Sequence, residues 1–477
     1  MRLGLSRNFW LTLAAILVVT AAAIVLPRLY RVALTGSGYM AETLCAGLFV
    51  SGRDLDSVLS QDLSGPGLEP LRFFQSAIDR DPKRVSAAIY GLARQTAIHR
   101  DGLGCTLVEG ADEETLRAQA AGLFPAWPQA DPSAEWPEGE GVAAWAPPAD
   151  VDRAALARAI DTIFSEPDPA HPRGTRALVV VHGGRIVAER YAPGFDAHMP
   201  LIGWSMTKTA TNALVGLRVK DGTLALDDDR LMTEWQGTGD PRGAITLNEL
   251  MRMTSGLAFD ESYDNDLSDV SQMLFVQGNA AAFAASKPLA HPPGTVWSYS
   301  SGTTNIIGGV LRETFADERA YLRFPKTRLF GPLGMRSAVL QPDAAGTFIG
   351  SSSLYASARD WARLGLLFLR DGMWLGDRLL PEGWVAYSLK PTPQSPQDQY
   401  GAQVWLKLVE SPGLGEPPMP DDASYMLGYA EQVVAMVPSR DLVVVRLGLT
   451  PDGGDWDNAR DLAPLVNAFP ARALNAP

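Results

Sequence analysis

One short segment decides both the fold and the chemistry predicted for this chain, and it reads Ile202-Gly-Trp-Ser205-Met-Thr-Lys208-Thr-Ala-Thr211. A serine and a lysine three residues apart at the start of a helix lie on one face, one turn apart. An amine held there and shielded from water can lose its proton near neutral pH. It can then accept the hydroxyl proton, which makes Ser205 a nucleophile. The segment therefore predicts a covalent serine hydrolase.

The context of this pair makes it more informative than a bare Ser-x-x-Lys match, which arises often by chance. Residues 209–215 are largely apolar, so the helix is predicted to be buried, and a lysine inside a buried helix needs a reason. The positive end of the helix would also stabilise negative charge developing at Ser205.

Composition excludes several classes of function. The chain has 477 residues, of which 46% are apolar, which is enough for a large core and more than one domain. The net charge is -13 and no basic stripe occurs, so nucleic acid is not predicted as a partner. None of the five histidines lies near a Gly-x-Ser-x-Gly elbow, and no cluster has metal-ligand spacing. We therefore predict a small-molecule substrate and no metal or cofactor.

The N-terminus predicts export. Arg2 and Arg7 precede an uninterrupted apolar run from Trp10 to Leu26. Such a run is either a cleaved signal peptide or an uncleaved signal anchor. Its length falls within the range of about 17–25 residues that can span a membrane. No clean Ala-x-Ala site follows it, so we favour an anchor, with the bulk of the chain periplasmic or otherwise outside the cytoplasm. Self-association cannot be predicted.

The two cysteines, Cys45 and Cys105, both lie in the first quarter of the chain. In an exported protein they could form a disulfide. Two buried free thiols are the alternative, and the sequence leaves both open.

The chain is predicted to have three parts. Residues 1–31 are the signal anchor or signal peptide. Residues 32–149 form an extracytoplasmic region with helical stretches such as Pro70–Asp79, and it ends in a linker rich in Pro, Trp and Glu, Phe124–Pro148. Residues 150–477 form the catalytic domain.

Periodicity in the catalytic domain predicts one antiparallel sheet with helices packed on it, an α+β fold. Two strands are predicted within 177–191, joined by a turn at 182–184, and a hairpin is predicted within 432–447. Helices are predicted over 151–164, 205–221, 246–253, 305–314, 357–370 and 456–469. Thr246 and Glu249 form a capping box at the start of one of them.

A second candidate element is the loop Pro293–Ser301, which contains Tyr299 and, two residues on, the Ser301 hydroxyl. A phenol in the same pocket as Lys208 could pass protons. An ammonium group nearby would be expected to lower its pKa.

These elements together resemble the serine beta-lactamase-like superfamily, and most closely its class C beta-lactamase and 6-aminohexanoate-dimer hydrolase branch. The resemblance rests on Ser205-x-x-Lys208, then Tyr299-x-Ser301, then a late Gly-containing strand before a Pro-x-x-Asp hairpin. Residues 245–257 and 357–367 also look like the family's helix signatures. The similarity covers about residues 150–470. It implies an antiparallel sheet flanked by helices, plus an all-helical subdomain.

The resemblance also implies roles for individual residues. Ser205 would be the acylated nucleophile, Lys208 its base and Tyr299 the proton shuttle to the leaving group. Ser301 would occupy the position where class C enzymes usually carry Asn, which suits the oligoamide hydrolase and esterase branch better than true beta-lactamases.

The third motif of the family, normally Lys-Thr-Gly or a His variant, is degraded here. Its best candidate is Leu427-Gly428-Tyr429-Ala-Glu-Gln432. The resemblance implies that this edge strand, around Gly428, offers a backbone N–H, with that of Tyr429 as the candidate. Together with the N–H of Ser205 it would form an oxyanion hole. Tyr263 would line the substrate pocket, although a purely structural role is at least as good an interpretation.

We therefore predict a serine hydrolase that cleaves an amide or an ester through an acyl-enzyme. One alternative is a penicillin-recognising enzyme, either a beta-lactamase or a D-Ala peptidase. The other is a catalytically silent binding protein on the same fold. The retention of serine, lysine and tyrosine together argues against the silent protein.

Overall fold

A long helix begins the structure, a computed structural model that describes residues 7–124, 134–143, 148–408 and 418–472. This helix, α1, runs from Arg7 to Phe49. It is largely exposed up to residue 31 and buried against the rest of the protein from Thr35 onward. Most of the predicted linker 124–148 lies outside the described residues.

Helix α1 continues across the predicted boundary at residue 31 and through Gly36-Ser37-Gly38. The two glycines permit close packing. A Cβ at Gly36 would lie 2.7 Å from the Phe74 ring, and one at Gly38 would lie 2.2 Å from the carbonyl oxygen of Phe275. The division of the chain at residues 31 and 149 stays a prediction, although the first of these boundaries falls inside α1.

The region after α1 contains a four-stranded antiparallel sheet that the sequence analysis did not predict. Its strands follow one another in order, and helices α2 (Leu55–Asp62) and α3 (Glu113–Ala120) flank them in the chain. The strands are β1 (Phe74–Arg80), β2 (Lys83–Ile89), β3 (Leu92–Arg100) and β4 (Gly104–Leu107). The helical prediction for Pro70–Asp79 is therefore wrong. Only a 3₁₀ turn precedes β1, and pairing with β2 along its whole length holds the rest extended.

Cys45 and Cys105 form a disulfide that joins α1 to β4. The sequence left this pairing open, and the structure resolves it in favour of the disulfide.

The catalytic region is built on a five-stranded antiparallel sheet with the order β12-β13-β14-β5-β6. A three-stranded sheet of order β7-β9-β8 and a short β10-β11 hairpin accompany it. The strands are β5 (Thr175–His182), β6 (Arg185–Tyr191), β7 (Leu201–Ile202), β8 (Val339–Leu340), β9 (Leu354–Ala356), β10 (Met373–Trp374), β11 (Asp377–Arg378), β12 (Ser424–Gly428), β13 (Gln432–Val437) and β14 (Leu442–Gly448). Both predicted hairpins, β5-β6 and β13-β14, are confirmed.

Both faces of the five-stranded sheet are buried, because successive side chains of a strand point to opposite faces. Val179 and Val181 of β5 join the larger core, whereas Leu178 and Val180 join a second core. The larger core includes α12, and the second includes α4 and α14. This arrangement confirms the predicted antiparallel sheet flanked by helices.

Most helices of the region lie between β7 and β8 in the chain and form the predicted helical part. The catalytic-region helices are α4 (Arg153–Ile163), α5 (Thr207–Lys220), α6 (Leu247–Met251), α7 (Asp269–Phe275), α8 (Ala280–Ala285), α9 (Ser301–Glu313), α10 (Glu318–Pro325), α11 (Gly331–Leu333), α12 (Ala358–Leu369), α13 (Trp384–Leu389) and α14 (Asn458–Asn467). A π-helical segment, Lys326–Phe330, connects α10 to α11. The capping box of Thr246 and Glu249 is present at the start of α6.

Candidate active site

Ser205 lies in a tight turn between strand β7 and helix α5. Its predecessor Trp204 has a φ of 47°, a strained conformation for a bulky residue. Gly203 leaves no room for a side chain, because a Cβ there would lie 2.1 Å from the ring of buried Trp361. The backbone N–H of Gly203 donates to Leu354 O at 2.9 Å, which ties the turn to β9. The turn thereby positions Ser205 immediately before the first turn of α5. Strain of this kind is typical of functional sites.

Lys208 is almost fully buried, and its ammonium group lies within hydrogen-bonding distance of Ser205. Its Nζ is 3.0 Å from Ser205 Oγ, 3.0 Å from Ser301 Oγ and 3.2 Å from Ser351 O. Burial lowers the pKa of Lys208 to about 8, although the nearby Glu261 carboxylate opposes this effect. A substantial fraction of the amine is therefore uncharged at slightly alkaline pH, as a general base requires.

Glu261 is a component of the site that the sequence analysis did not single out. Its Oε1 accepts from Ser301 Oγ at 2.5 Å, and its Oε2 accepts from the Ser301 backbone N–H at 2.8 Å. The Tyr263 hydroxyl also donates to its Oε1, at 2.7 Å. A continuous chain of hydrogen bonds therefore connects Glu261 to Ser205 through Ser301 and Lys208. No motif marks this residue in the sequence, because its contact with Ser301 joins positions 40 apart.

Tyr299 lies over the amine of Lys208, whose Nζ is 4.8 Å from the centroid of the phenol ring. The ring packs against Tyr400 and Trp405, with centroids 5.9 and 5.3 Å away. The expected lowering of the Tyr299 pKa is wrong. Desolvation raises this pKa, and a hydrogen bond with the Ser205 hydroxyl only partly opposes the rise. The phenol therefore keeps its proton at neutral pH and can donate it in a hydrogen bond.

Tyr263 and Tyr429 lie at the mouth of the site. Their exposed fractions are 53% and 44%, and their ring centroids are 5.8 Å apart. The Tyr429 ring also contacts Trp204 edge-on, with the centroids 5.7 Å apart. The two tyrosines form an aromatic rim beside the serine turn.

Gly428 ends strand β12 directly against the serine turn. A Cβ at Gly428 would lie 2.2 Å from the carbonyl oxygen of Gly203. Only glycine permits this approach, so the edge strand and the serine turn are in backbone contact. This contact fixes the end of β12 beside the turn that carries Ser205.

Two buried side chains, Gln432 and Arg446, stabilise the turn after Gly428 by donating hydrogen bonds to backbone carbonyls. Gln432 Nε2 donates to Tyr429 O at 3.2 Å and to Gly448 O at 2.6 Å. Arg446 Nη1 donates to Glu431 O at 2.8 Å. These bonds fix a turn in which Glu431 has a φ of 64°. The position of the Tyr429 backbone is thus set by the sheet rather than by its exposed ring.

A family model described as Beta-lactamase matches residues 160–467, well over half of the chain. The chain belongs to the beta-lactamase family. The match includes the five-stranded sheet, the helical part and every site residue described above. Membership supports hydrolase activity for this beta-lactamase family member.

Individual relatives agree with this assignment. The chain is 23% identical to the 6-aminohexanoate-dimer hydrolase of Paenarthrobacter ureafaciens over 304 residues, which cover 58% of this chain and 73% of the relative. Among solved structures it is similar to a penicillin-binding protein homologue from Caulobacter crescentus, with a TM-score of 0.50, 15% identity and coverage of 69% of this chain and 98% of that one. The hydrolase EstCE1 has the same TM-score and identity, with coverage of 66% and 98%. These structural likenesses establish the fold of this beta-lactamase family member.

Proposed function

We propose that this protein is a serine hydrolase that cleaves an amide or ester bond through an acyl-enzyme on Ser205. The observation that carries the proposal is the 3.0 Å distance between Ser205 Oγ and the buried Nζ of Lys208. A buried amine with a pKa of about 8 is suited to take a hydroxyl proton near neutral pH.

In the first step, uncharged Lys208 takes the proton of Ser205 while Oγ bonds to the substrate carbonyl carbon. The backbone N–H groups of Ser205 and Tyr429 would stabilise the resulting oxyanion, which would also lie near the positive end of α5. As the bond to the leaving group breaks, Lys208 returns the proton to it through the hydroxyl of Tyr299. Water then attacks the acyl carbon and loses a proton to Lys208. The bond from that carbon to Ser205 Oγ breaks, Lys208 returns the proton to Oγ, and the acid is released.

An amide or simple ester suits this site better than a penicillin. The segment Leu427-Gly428-Tyr429 offers no lysine at the edge strand, where the family usually has a cation for a beta-lactam carboxylate. The 6-aminohexanoate-dimer hydrolase relative is named for the hydrolysis of a 6-aminohexanoate dimer rather than of a beta-lactam. Ser301 and Tyr263 would contact the substrate beside the nucleophile, and Tyr429 would cover it from the edge strand.

We also propose that the exposed part of α1 anchors the protein in a membrane, with the catalytic region outside the cytoplasm. Among the described residues, α1 is long and apolar enough to cross a bilayer, and its most apolar window is only 6% buried. The exposed apolar surface of this part of α1 would be unfavourable in water, and contact with lipid would remove it from water.

Fluorophosphonate labelling tests the assignment of the nucleophile. We expect the probe to modify the purified protein and the modified peptide to map to Ser205. A panel of p-nitrophenyl esters, short linear amides and nitrocefin would then define the substrate. We expect hydrolysis of esters and amides. Nitrocefin turnover alone would favour the penicillin-type enzyme, and labelling at another serine would overturn the proposal.

Replacing Glu261 with glutamine should shift the pH profile toward acid. The carboxylate raises the pKa of Lys208, so its removal lowers that pKa and makes the amine uncharged at lower pH. The acid limb of kcat/KM against pH should therefore move down from about 8. Asp264→Asn, in the same loop but exposed, is the control. An acid limb that stays in place in Glu261→Gln would contradict this role of Glu261.

A further inference from the structure

We propose that the catalytic cleft opens at the end of the protein from which the exposed part of α1 emerges, so that it faces the membrane. Its substrate would be an amphiphile whose tail stays in the bilayer and whose polar head carries the scissile ester or amide. This inference rests on the proposed hydrolase function and on the proposed anchor, and it adds the substrate class.

The direction in which α1 runs through the folded protein identifies the end from which its exposed part emerges. Thr35, at the first buried turn, is 5% exposed, whereas residues 22–31 are almost all exposed. One residue further, Gly36 packs against Phe74 at the start of β1. At the opposite end of α1, the Phe49 ring lies 6.1 Å from that of His99 near the end of β3. Strand β3 therefore runs alongside α1 in the same direction. We call the end of the protein near Thr35 and Gly36 the anchor end.

The loop before α7, which carries Glu261 and Tyr263 and lines the cleft beside Ser205, is attached to the anchor end. The Thr35 hydroxyl accepts from Gln272 Nε2 at 2.8 Å and lies 3.1 Å from Asp266 O, to which it can donate. The Tyr39 ring packs edge-on against Phe275, with centroids 5.3 Å apart. These contacts hold helix α7 and the residues before it. That same loop carries Glu261 and Tyr263, which reach the Ser205 site through Ser301.

The spacing along α1 places this loop close to a bilayer. Nine residues separate Leu26, the last of the apolar run, from Thr35, which is about 14 Å along a helix. The headgroup layer of a bilayer is roughly 5–7 Å thick on each side. The Thr35 level therefore lies less than about 10 Å outside the headgroups. A tail in the hydrocarbon with a reactive bond in an extended head fits that spacing.

Exposed apolar side chains at the anchor end support its orientation toward lipid. Phe73 precedes β1, and Tyr90 and Leu92 flank the turn between β2 and β3, where Ile89 pairs with Phe74. Their exposed fractions are 42%, 72% and 67%. Large apolar side chains at this exposure are unfavourable in water but favourable at a membrane interface, where aromatic residues are enriched.

The side chains at the mouth of the cleft also suit a lipid surface. The exposed rings of Tyr263 and Tyr429 offer an apolar body and a polar hydroxyl, which suits the boundary between a lipid surface and water. An amphiphile held there would pass its head beside the two rings toward Ser205.

A stiff spacer tests the proposal in the full-length chain. A helical segment of about 25 residues rich in Glu, Lys and Ala, inserted between Arg31 and Val32, would lift the cleft by about 38 Å. The same segment inserted between Arg7 and Asn8, before the apolar run, is the matched control. Each form is reconstituted in phosphatidylcholine vesicles. Two probes are compared: phosphatidylethanolamine carrying a succinyl p-nitrophenyl ester on its head, and the soluble methyl p-nitrophenyl succinate.

We expect wild type and the control to cleave both esters. The form with the spacer between Arg31 and Val32, here the lifted form, should keep its rate on the soluble ester. Its rate on the lipid ester should fall at least tenfold. Equal rates of the lifted and control forms on the lipid ester would overturn the inference, as would protein that fails to float with the vesicles. Failure of the proposed function looks different, because wild type would then cleave neither ester and Ser205 would not be labelled.

Discussion

Lys208→Met is expected to abolish turnover and at the same time to stabilise the protein. Among the described residues, the other group that hydrogen-bonds to the Ser205 hydroxyl is the Tyr299 phenol, which keeps its own proton and so cannot replace the amine as a base. General-base activation of a nucleophile is typically worth about 10²–10⁴-fold, and a loss of about 10³-fold is expected in kcat/KM. Fluorophosphonate labelling should slow in parallel.

The stabilisation follows from the pKa of Lys208, which is about 8 in the folded protein and 10.5 for an ordinary lysine. Below pH 8 the fold holds a buried ammonium at a free-energy penalty of at most about 3.4 kcal/mol, at 1.36 kcal/mol per pKa unit. The lost hydrogen bonds to Ser205 and Ser301 offset part of the gain, so about 1–2 kcal/mol is expected. The penalty fades as pH rises from 8 to 10.5. In that window the folded amine is already neutral, and the free-energy cost of removing its proton falls until the unfolded chain is neutral too.

Thermal unfolding at pH 7 and pH 10 measures this effect. The melting temperature of Lys208→Met should exceed that of wild type at pH 7, and the difference should shrink at pH 10. Lys220→Met is the matched control, since Lys220 is exposed at the end of the same helix. Wild-type turnover in Lys208→Met, or a lower melting temperature than wild type at pH 7, would contradict the role assigned to this residue.

Gly428→Ala should lower activity by about 10²–10³-fold, the loss seen when one oxyanion-hole donor is removed. The new methyl group would meet the carbonyl oxygen of Gly203 at 2.2 Å, and neither backbone can retreat freely. The edge strand and the serine turn must therefore separate, which moves the N–H of Tyr429 away from that of Ser205. Overpacking of this kind also destabilises by about 1–3 kcal/mol.

Gly237→Ala serves as the control, because a Cβ at Gly237 meets nothing within 4 Å and its φ is not in the left-handed region. We expect that variant to match wild type in activity and melting temperature. If Gly428→Ala loses stability but keeps its kcat/KM, the edge strand does not help to stabilise the oxyanion. Measuring kcat separately from KM distinguishes this defect from weaker substrate binding.

The sequence was sufficient for the parts of the site that local spacing determines. Ser205 and Lys208 come together because one helical turn fixes their separation, and both hairpins follow from strand periodicity interrupted by turn residues. The α+β architecture and the family followed from these features together.

Contacts between distant segments were beyond sequence reasoning. Glu261 joins the site only because its loop packs against the start of α9, and nothing in its neighbourhood marks that approach. Gly36 and Gly38 permit α1 to pack closely against Phe74 and Phe275, which are distant from them in the sequence. The Tyr299 pKa was predicted in the wrong direction because desolvation by surrounding rings outweighs a neighbouring amine.

The Cys45–Cys105 bridge has a practical consequence for anyone who makes this protein. It closes a loop of 60 residues, and closing one of that length lowers the entropy of the unfolded chain by an amount equivalent to about 4 kcal/mol. Synthesis in a reducing cytosol forfeits that contribution and loosens the helix that holds the Glu261 loop. Recombinant material should therefore come from an oxidising secretory route, and an inactive preparation should first be tested for free thiols.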